Sequence, residues 1–215
     1  MQDLQSFLGA IQAGGVMIYP LFGLTVLAVV IVLEKGFVYG VRTHLPGALI
    51  VLVETYGFAW TDVDAKVGRL GKGNYFAAFF DVISANRTHP AWWVESRAAD
   101  EASQIEKALG RWLWVLETIV TAAPLLGLLG TITGMVRAFK LFGDGGLVDP
   151  SGVTGGVAEA LIATALGLFI ALVALFAFNF FSHRQAEVMD EMERLGTRLI
   201  DRIRLDAQGR HDEAA

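Results

Sequence analysis

Glu117-Thr118-Ile119-Val120-Thr121-Ala122-Ala123-Pro124-Leu125-Leu126-Gly127-Leu128-Leu129-Gly130-Thr131-Ile132-Thr133-Gly134-Met135-Val136-Arg137 holds nineteen uncharged residues between an acid and a base. At 1.5 Å per residue such a run makes about 28 Å of helix, close to the hydrocarbon thickness of a bilayer. Two further stretches have the same character. Residues 4–33 carry no charge, and Val16–Leu33 is almost uninterrupted hydrocarbon. Ala160–Ser182 is a third run, bounded by Glu159 and by His183-Arg184. Helices of a soluble core would keep a polar face, which these runs lack. The first run has no basic leader and is followed by Glu34-Lys35 instead of a small-residue cleavage site, so it reads as a span and not as a signal peptide.

The bulk composition agrees. Of 215 residues, 54% are apolar and 18% charged, against about 25% charged in an ordinary soluble domain; the mean hydropathy is +0.51. The net charge of −5 offers no basic surface for nucleic acid. The lack of cysteine excludes a disulfide framework, a thiolate metal site and a cysteine nucleophile. His44, His89, His183 and His211 are scattered through the polar flanks, so no metal site is expected. No hydrolytic or redox constellation is visible; the chain is not expected to be an enzyme or to hold a cofactor.

The expected fold is an all-α membrane protein of three transmembrane helices with long cytoplasmic helical extensions. Residues 1–13 place Leu4, Phe7, Leu8 and Ile11 at helical spacing, predicting an amphipathic helix on the outer surface. The first span is expected over 14–35, a cytoplasmic helical region over 36–112, the second span over 113–140, a periplasmic loop over 141–155, the third span over 156–183 and a cytoplasmic helical tail over 184–215. Nothing from Trp92 need stop a helix before Pro124, so the second span is expected to continue a cytoplasmic helix. In the tail, Val188, Met192, Leu195, Leu199 and Ile203 recur every three or four residues, a stripe that suggests bundled helices.

Two helix faces carry the functional signal. On a wheel of 100° per residue, Ala160, Ala163, Thr164, Gly167, Ala171 and Ala174 share one arc of the third span, with Glu159 at its edge. In the second span Ala123, Gly127, Gly130, Thr131, Gly134 and Ala138 do the same. Lipid is as apolar as leucine, so membrane helices associate through small residues that admit close backbone approach. The helix-packing candidates are therefore Gly127, Gly130, Gly134, Ala163, Gly167 and Ala171, while the first span, lacking such a strip, is expected to face lipid. Glu159, Thr131 and Thr164 all fall in the outer third of the bilayer, Thr131 about five residues or ~7.5 Å from the outer end of its span. A carboxylate there costs several kcal/mol unless it is protonated, paired or wetted. One reading makes the three a hydrophilic ring around an ion path. The others are a snorkelling interfacial charge for Glu159, and for each threonine a hydroxyl bonded to its own i−4 carbonyl. A substrate transporter is disfavoured because no inverted repeat is seen; a purely structural membrane scaffold stays open.

Ala123-Pro124-Leu125-Leu126-Gly127-Leu128-Leu129-Gly130-Thr131-Ile132-Thr133-Gly134-Met135, followed by Ala158-Glu159-Ala160-Leu161-Ile162-Ala163-Thr164-Ala165-Leu166-Gly167-Leu168, resembles the signature of the MotA/TolQ/ExbB proton channel family. Gly15-Val16-Met17-Ile18-Tyr19-Pro20-Leu21 with Glu34-Lys35 is similar to the first span of ExbB-type members. The resemblance implies a ring-forming homopentamer in the bacterial inner membrane. Its second and third helices would enclose a dimer of single-span partners resembling ExbD, TolR or MotB, each supplying a membrane Asp, with a TonB-like protein as a possible further partner. It implies an ion-driven motor powered by the proton motive force and energising transport or work at the outer envelope, with a TolQ-like role in envelope integrity as the alternative. By position, Glu159, Thr131 and Thr164 match the family's pore-facing polar residues. Val173 departs from the pattern, since many members have a proline there.

Orientation follows from Lys and Arg. None precedes Leu33, nine lie from Lys35 to Arg111, six follow Ser182, and only Arg137 and Lys140 lie between the last two spans. The bias of fifteen to two places the amino terminus outside and both polar regions in the cytoplasm. A cysteine introduced at Gly145 should then react with an impermeant thiol reagent in intact cells, and one at Gly73 should not; the reverse labelling would overturn this topology.

Overall fold

The computed structural model describes residues 16–55, 57–71, 73–140 and 150–212, and among these there are helices and connecting turns but no strand. The surface helix expected at 1–13 lies outside the described residues. Helix α1 is Ile18–Phe37, continued by one π-helical turn at Val38–Arg42. Then come α2 (Gly47–Glu54), α3 (Trp60–Val67), α4 (Tyr75–Ala85), α5 (Ala91–Gly110), α6 (Leu113–Lys140) and α7 (Pro150–Asp212). Three helical stretches, Ile18–Arg42, Ala91–Lys140 and Gly152–Gly209, are long and apolar enough to cross a membrane. The described residues thus form an all-α membrane-type fold with three such helices.

Two boundaries differ from the sequence reading. The helix does not run unbroken from Trp92; it ends at Gly110 and restarts at Leu113, with Trp112 at φ 70°. A left-handed backbone costs a bulky L-residue roughly 1–2 kcal/mol; Gly110, the last residue of α5, is the local signal for the break that the sequence reading passed over. Pro124, by contrast, stays inside α6. It leaves the Val120 carbonyl without its i+4 donor, a loss that helices in a membrane bundle tolerate better than isolated ones. The second difference is at the start of α7. Residues 150–155, expected as loop, are helical, because Pro150 occupies the first helical position, where a missing N–H costs nothing.

The chain divides into two units, residues 1–33 with 112–180 and residues 34–111 with 181–215. In the first, α6 and the front of α7 bury their small residues, and α1 buries Ile18, Leu21, Ala28 and Ile31. One face of α1 thus packs against protein, while Tyr19, Phe22, Val30 and Leu33 stay exposed. The lone Thr25 hydroxyl bonds its own helix at the Leu21 carbonyl, 2.9 Å away.

In the second unit, α2–α5 and the rear of α7 share a core. The stripe Val188, Met192, Leu195, Leu199 and Ile203 is buried throughout, and Gly196 lies against the Phe79 ring, where a Cβ would come within 2.8 Å of it. Asn74 caps α4, its Oδ1 accepting from the Phe76 and Ala77 amides at 2.9 and 3.2 Å, while its Nδ2 donates to the His44 carbonyl at 2.7 Å. Trp60 Nε1 donates to Asp206 at 3.0 Å, and Arg204 pairs with Glu95 at 2.9 Å.

Lys35 is the most unusual residue of this unit, with a fully buried side chain. Its ammonium donates to the Leu109 carbonyl at 2.7 Å and lies 3.7 Å from Glu34, and the Tyr39 hydroxyl reaches the same carbonyl at 3.4 Å. Leu109 is in the last turn of α5, where carbonyls have no helical donor and the helix dipole favours a cation. The ammonium therefore occupies the position that a further turn of α5 would have filled.

The buried stripe makes a stability prediction. Leu195→Ala, at a fully buried position, should cost about 2–5 kcal/mol, whereas Leu205→Ala, about half exposed, should cost under about 0.5 kcal/mol. Thermal unfolding of the detergent-solubilised protein would check both, and equal losses would refute the packing of α7.

Candidate functional site

Helices α6 and α7 run side by side because glycines on one meet backbone or alanine on the other. A Cβ at Gly167 would lie 2.5 Å from the Ala123 carbonyl oxygen and 3.1 Å from Gly127 Cα. One at Gly127 would lie 3.0 Å from the Ala163 carbonyl oxygen and from Thr164 Cα. Gly130 faces Ala163, and Gly134 faces Ala160 and Gly156, at separations a methyl group could not fit. Ala171 is buried further along α7. The opposite arcs are open: Leu125, Leu128 and Ile132 on α6, and Leu161, Leu168 and Phe169 on α7, are more than half exposed. Gly156, which the sequence reading did not single out, belongs to the same seam and faces Ala138. It opens the expected third span of 156–183 but precedes the uncharged run from Ala160 on which the small arc was read.

This proximity positions the polar groups. The Thr164 hydroxyl donates across the seam to the Gly127 carbonyl at 2.9 Å, so it does not bond its own helix. The Thr131 hydroxyl does bond its own helix, donating to the Leu128 carbonyl at 2.6 Å. Each hydroxyl proton is thereby committed to a carbonyl, and each oxygen presents lone pairs outward. Such an oxygen can accept from hydronium or bind a dehydrated cation; it is a poor donor to an anion. Thr131 borders an open, mainly apolar notch of ≈ 460 Å³ with Met135, Phe139, Val157, Ala160 and Leu161.

Glu159 sits elsewhere. Its Oε1 accepts from Arg137 Nη1 at 2.8 Å, with the carboxylate side chain 22% and the arginine side chain 52% exposed. Neither residue lines the notch beside Thr131. Glu159 and Thr164 are five residues apart on α7, about 140° around the helix. Within one chain the structure brings Thr164 to α6 and Glu159 to α6, at different points, and does not gather the three into one cluster. Arg137 was noted in the sequence only as one of two cations on the wrong side of the charge bias, and that anomaly was the available signal for a buried-side partner. Among the described residues no group of His, Cys, Asp and Glu could hold a metal ion.

Residues 72–194 match the MotA/TolQ/ExbB proton channel family. This chain belongs to that family. The match takes in α4 to α6 and α7 as far as Arg194, and so includes the whole seam. The Putative biopolymer transport protein ExbB-like 3 of Synechocystis is 31% identical over 190 residues, covering 79% of this chain and 82% of that protein. ExbB-like 1 of the same organism is 31% identical over 199 residues, covering 86% and 74%. The Biopolymer transport protein ExbB of Aquifex aeolicus is 36% identical over 93 residues, 43% of this chain and 63% of the relative. The family is one of membrane channel-type proteins and not of enzymes.

The seam predicts which glycines matter. Gly167→Ala puts a methyl group on the Ala123 carbonyl and should destabilise the protein by about 1–3 kcal/mol. Gly155→Ala, on the same helix with open space around it, should be neutral or stabilise by up to about 1 kcal/mol through helix propensity. Melting of the two variants in detergent would test this, and tolerance of Gly167→Ala would show that the seam is looser than described.

Proposed function

We propose that this chain is the ring subunit of an ion-driven inner-membrane motor of the ExbB type, powered by the proton motive force. The observation that carries this reading is that the family match and the glycine seam coincide, and that the seam bears Glu159, Thr131 and Thr164 within otherwise apolar helices. Five copies would form the ring, with α6 and α7 inward around the single-span helices of a partner dimer resembling ExbD or TolR. The partner would supply a membrane Asp, since the seam carries a single acid, Glu159, and that does not make a continuous ion path. The threonine oxygens, with their protons committed to carbonyls, would serve as acceptors for hydronium or a dehydrated cation, and Glu159 would set the charge at the outer end. The amino terminus would be periplasmic and the carboxyl terminus cytoplasmic, by the Lys and Arg bias.

A structural scaffold without an ion path is the competing reading. One observation favours it: every polar group of the seam already has a partner within the chain. The two separate on function. Thr131→Val and Thr164→Val remove the hydroxyls at nearly constant volume, and Glu159→Ala removes the carboxylate. In liposomes holding this protein with its single-span partner, Glu159→Ala should abolish ion uptake, and the double threonine variant should lower it at least about tenfold, with the complex still assembled. Normal uptake in both would leave the scaffold standing.

A further inference from the structure

Arg137 is a cation near the outer end of a span, in a stretch that the charge bias keeps otherwise poor in bases. Its guanidinium meets Glu159 at 2.8 Å, 22 residues away in sequence and on the neighbouring helix. The contact is held from both sides by backbone. Gly134, three residues before Arg137, packs on Ala160, the residue after Glu159; Ala138, the residue after Arg137, packs on Gly156, three residues before Glu159. A Cβ at Gly134 would come within 2.8 Å of Ala160, and one at Gly156 within 2.9 Å of Ala138. The two charged side chains therefore spring from a closely packed part of the seam, and the backbone fixes the span between their Cα atoms. The carboxylate is largely covered and the guanidinium about half exposed. The ion pair is a charge-assisted hydrogen bond.

We propose that Arg137 is the positioning residue for Glu159: it holds the carboxylate aimed across the α6–α7 seam, so that an ion approaching Glu159 must compete with the guanidinium for it. The inference rests on the reading of Glu159 as an ion-path residue. A fixed counter-charge of this kind weakens the grip of the carboxylate on a passing cation. Weak binding suits conduction, because a site must release what it takes up.

The test is ion uptake against ion concentration in liposomes containing the assembled complex with its single-span partner. Arg137→Gln removes the competitor, so the half-saturating ion concentration should fall about fivefold, the factor for about 1 kcal/mol of a partly exposed pair. Arg137→Lys keeps the charge and should stay within about twofold. An unchanged half-saturation in assembled Arg137→Gln, alongside lost uptake in Glu159→Gln, overturns the role of Arg137 and leaves the ion path intact. Normal uptake in Glu159→Gln overturns the ion path itself. Should Arg137→Gln fail to assemble, the exchange Arg137→Glu with Glu159→Arg decides: recovery of assembly and uptake together supports the pair as a working unit, and recovery of assembly alone reduces it to a tie between helices.

Discussion

In the apolar interior of a bilayer, two helices gain nothing by hiding leucine from lipid, so they stay together only where their backbones come close enough for dispersion and polar contacts to act. Gly167 against the Ala123 carbonyl and Gly127 against Thr164 supply that closeness. The cross-helix bond from Thr164 depends on it, because a hydroxyl on so short a side chain reaches the Gly127 carbonyl only when the helices touch. So does the Arg137–Glu159 pair, whose anchoring residues flank the glycine and alanine contacts. The bulky residues on the outer arcs are free to meet lipid or another protein without disturbing this arrangement.

The seam also alters what its polar groups can do. A threonine in a span is often counted as a donor, yet here both hydroxyl protons are committed to carbonyls, and what remains is acceptor capacity. Glu159, a costly group in hydrocarbon when alone, carries its own counter-charge. Each polar residue is thus chemically restricted by its neighbours, the threonines to accepting and the acid to sharing its charge with a guanidinium.

Much of this was legible in the sequence because spans are recognised by length and a packing face by the size of its side chains, both of which are local properties. The small arcs of α6 and α7 and the apolar stripe from Val188 to Ile203 could be read this way. The break at Trp112 was legible only in part, since Gly110 stands at the end of α5 but a left-handed tryptophan has no compositional mark, while Pro124, the conspicuous helix breaker, is absorbed within a continuous α6. The separation of Glu159 from the threonines was hidden for another reason: a wheel places residues by angle on one helix, but the partner each meets depends on its antiparallel neighbour. Arg137 lay in plain view as an exception to the charge bias, and needed the facing helix to give it meaning.

The buried ammonium of Lys35 bears on how the molecule is made. Its acceptor, the Leu109 carbonyl, follows 74 residues later in the chain. A polypeptide synthesised from its amino terminus presents the lysine long before the acceptor exists, and an ammonium without a protein partner keeps to water or the headgroups. Until α5 has been completed and has ended at Gly110, the ammonium lacks the acceptor it has in the folded chain. This one hydrogen bond can close only after α5 is made, and a helix that ran on past Gly110 would leave the lysine without its seat.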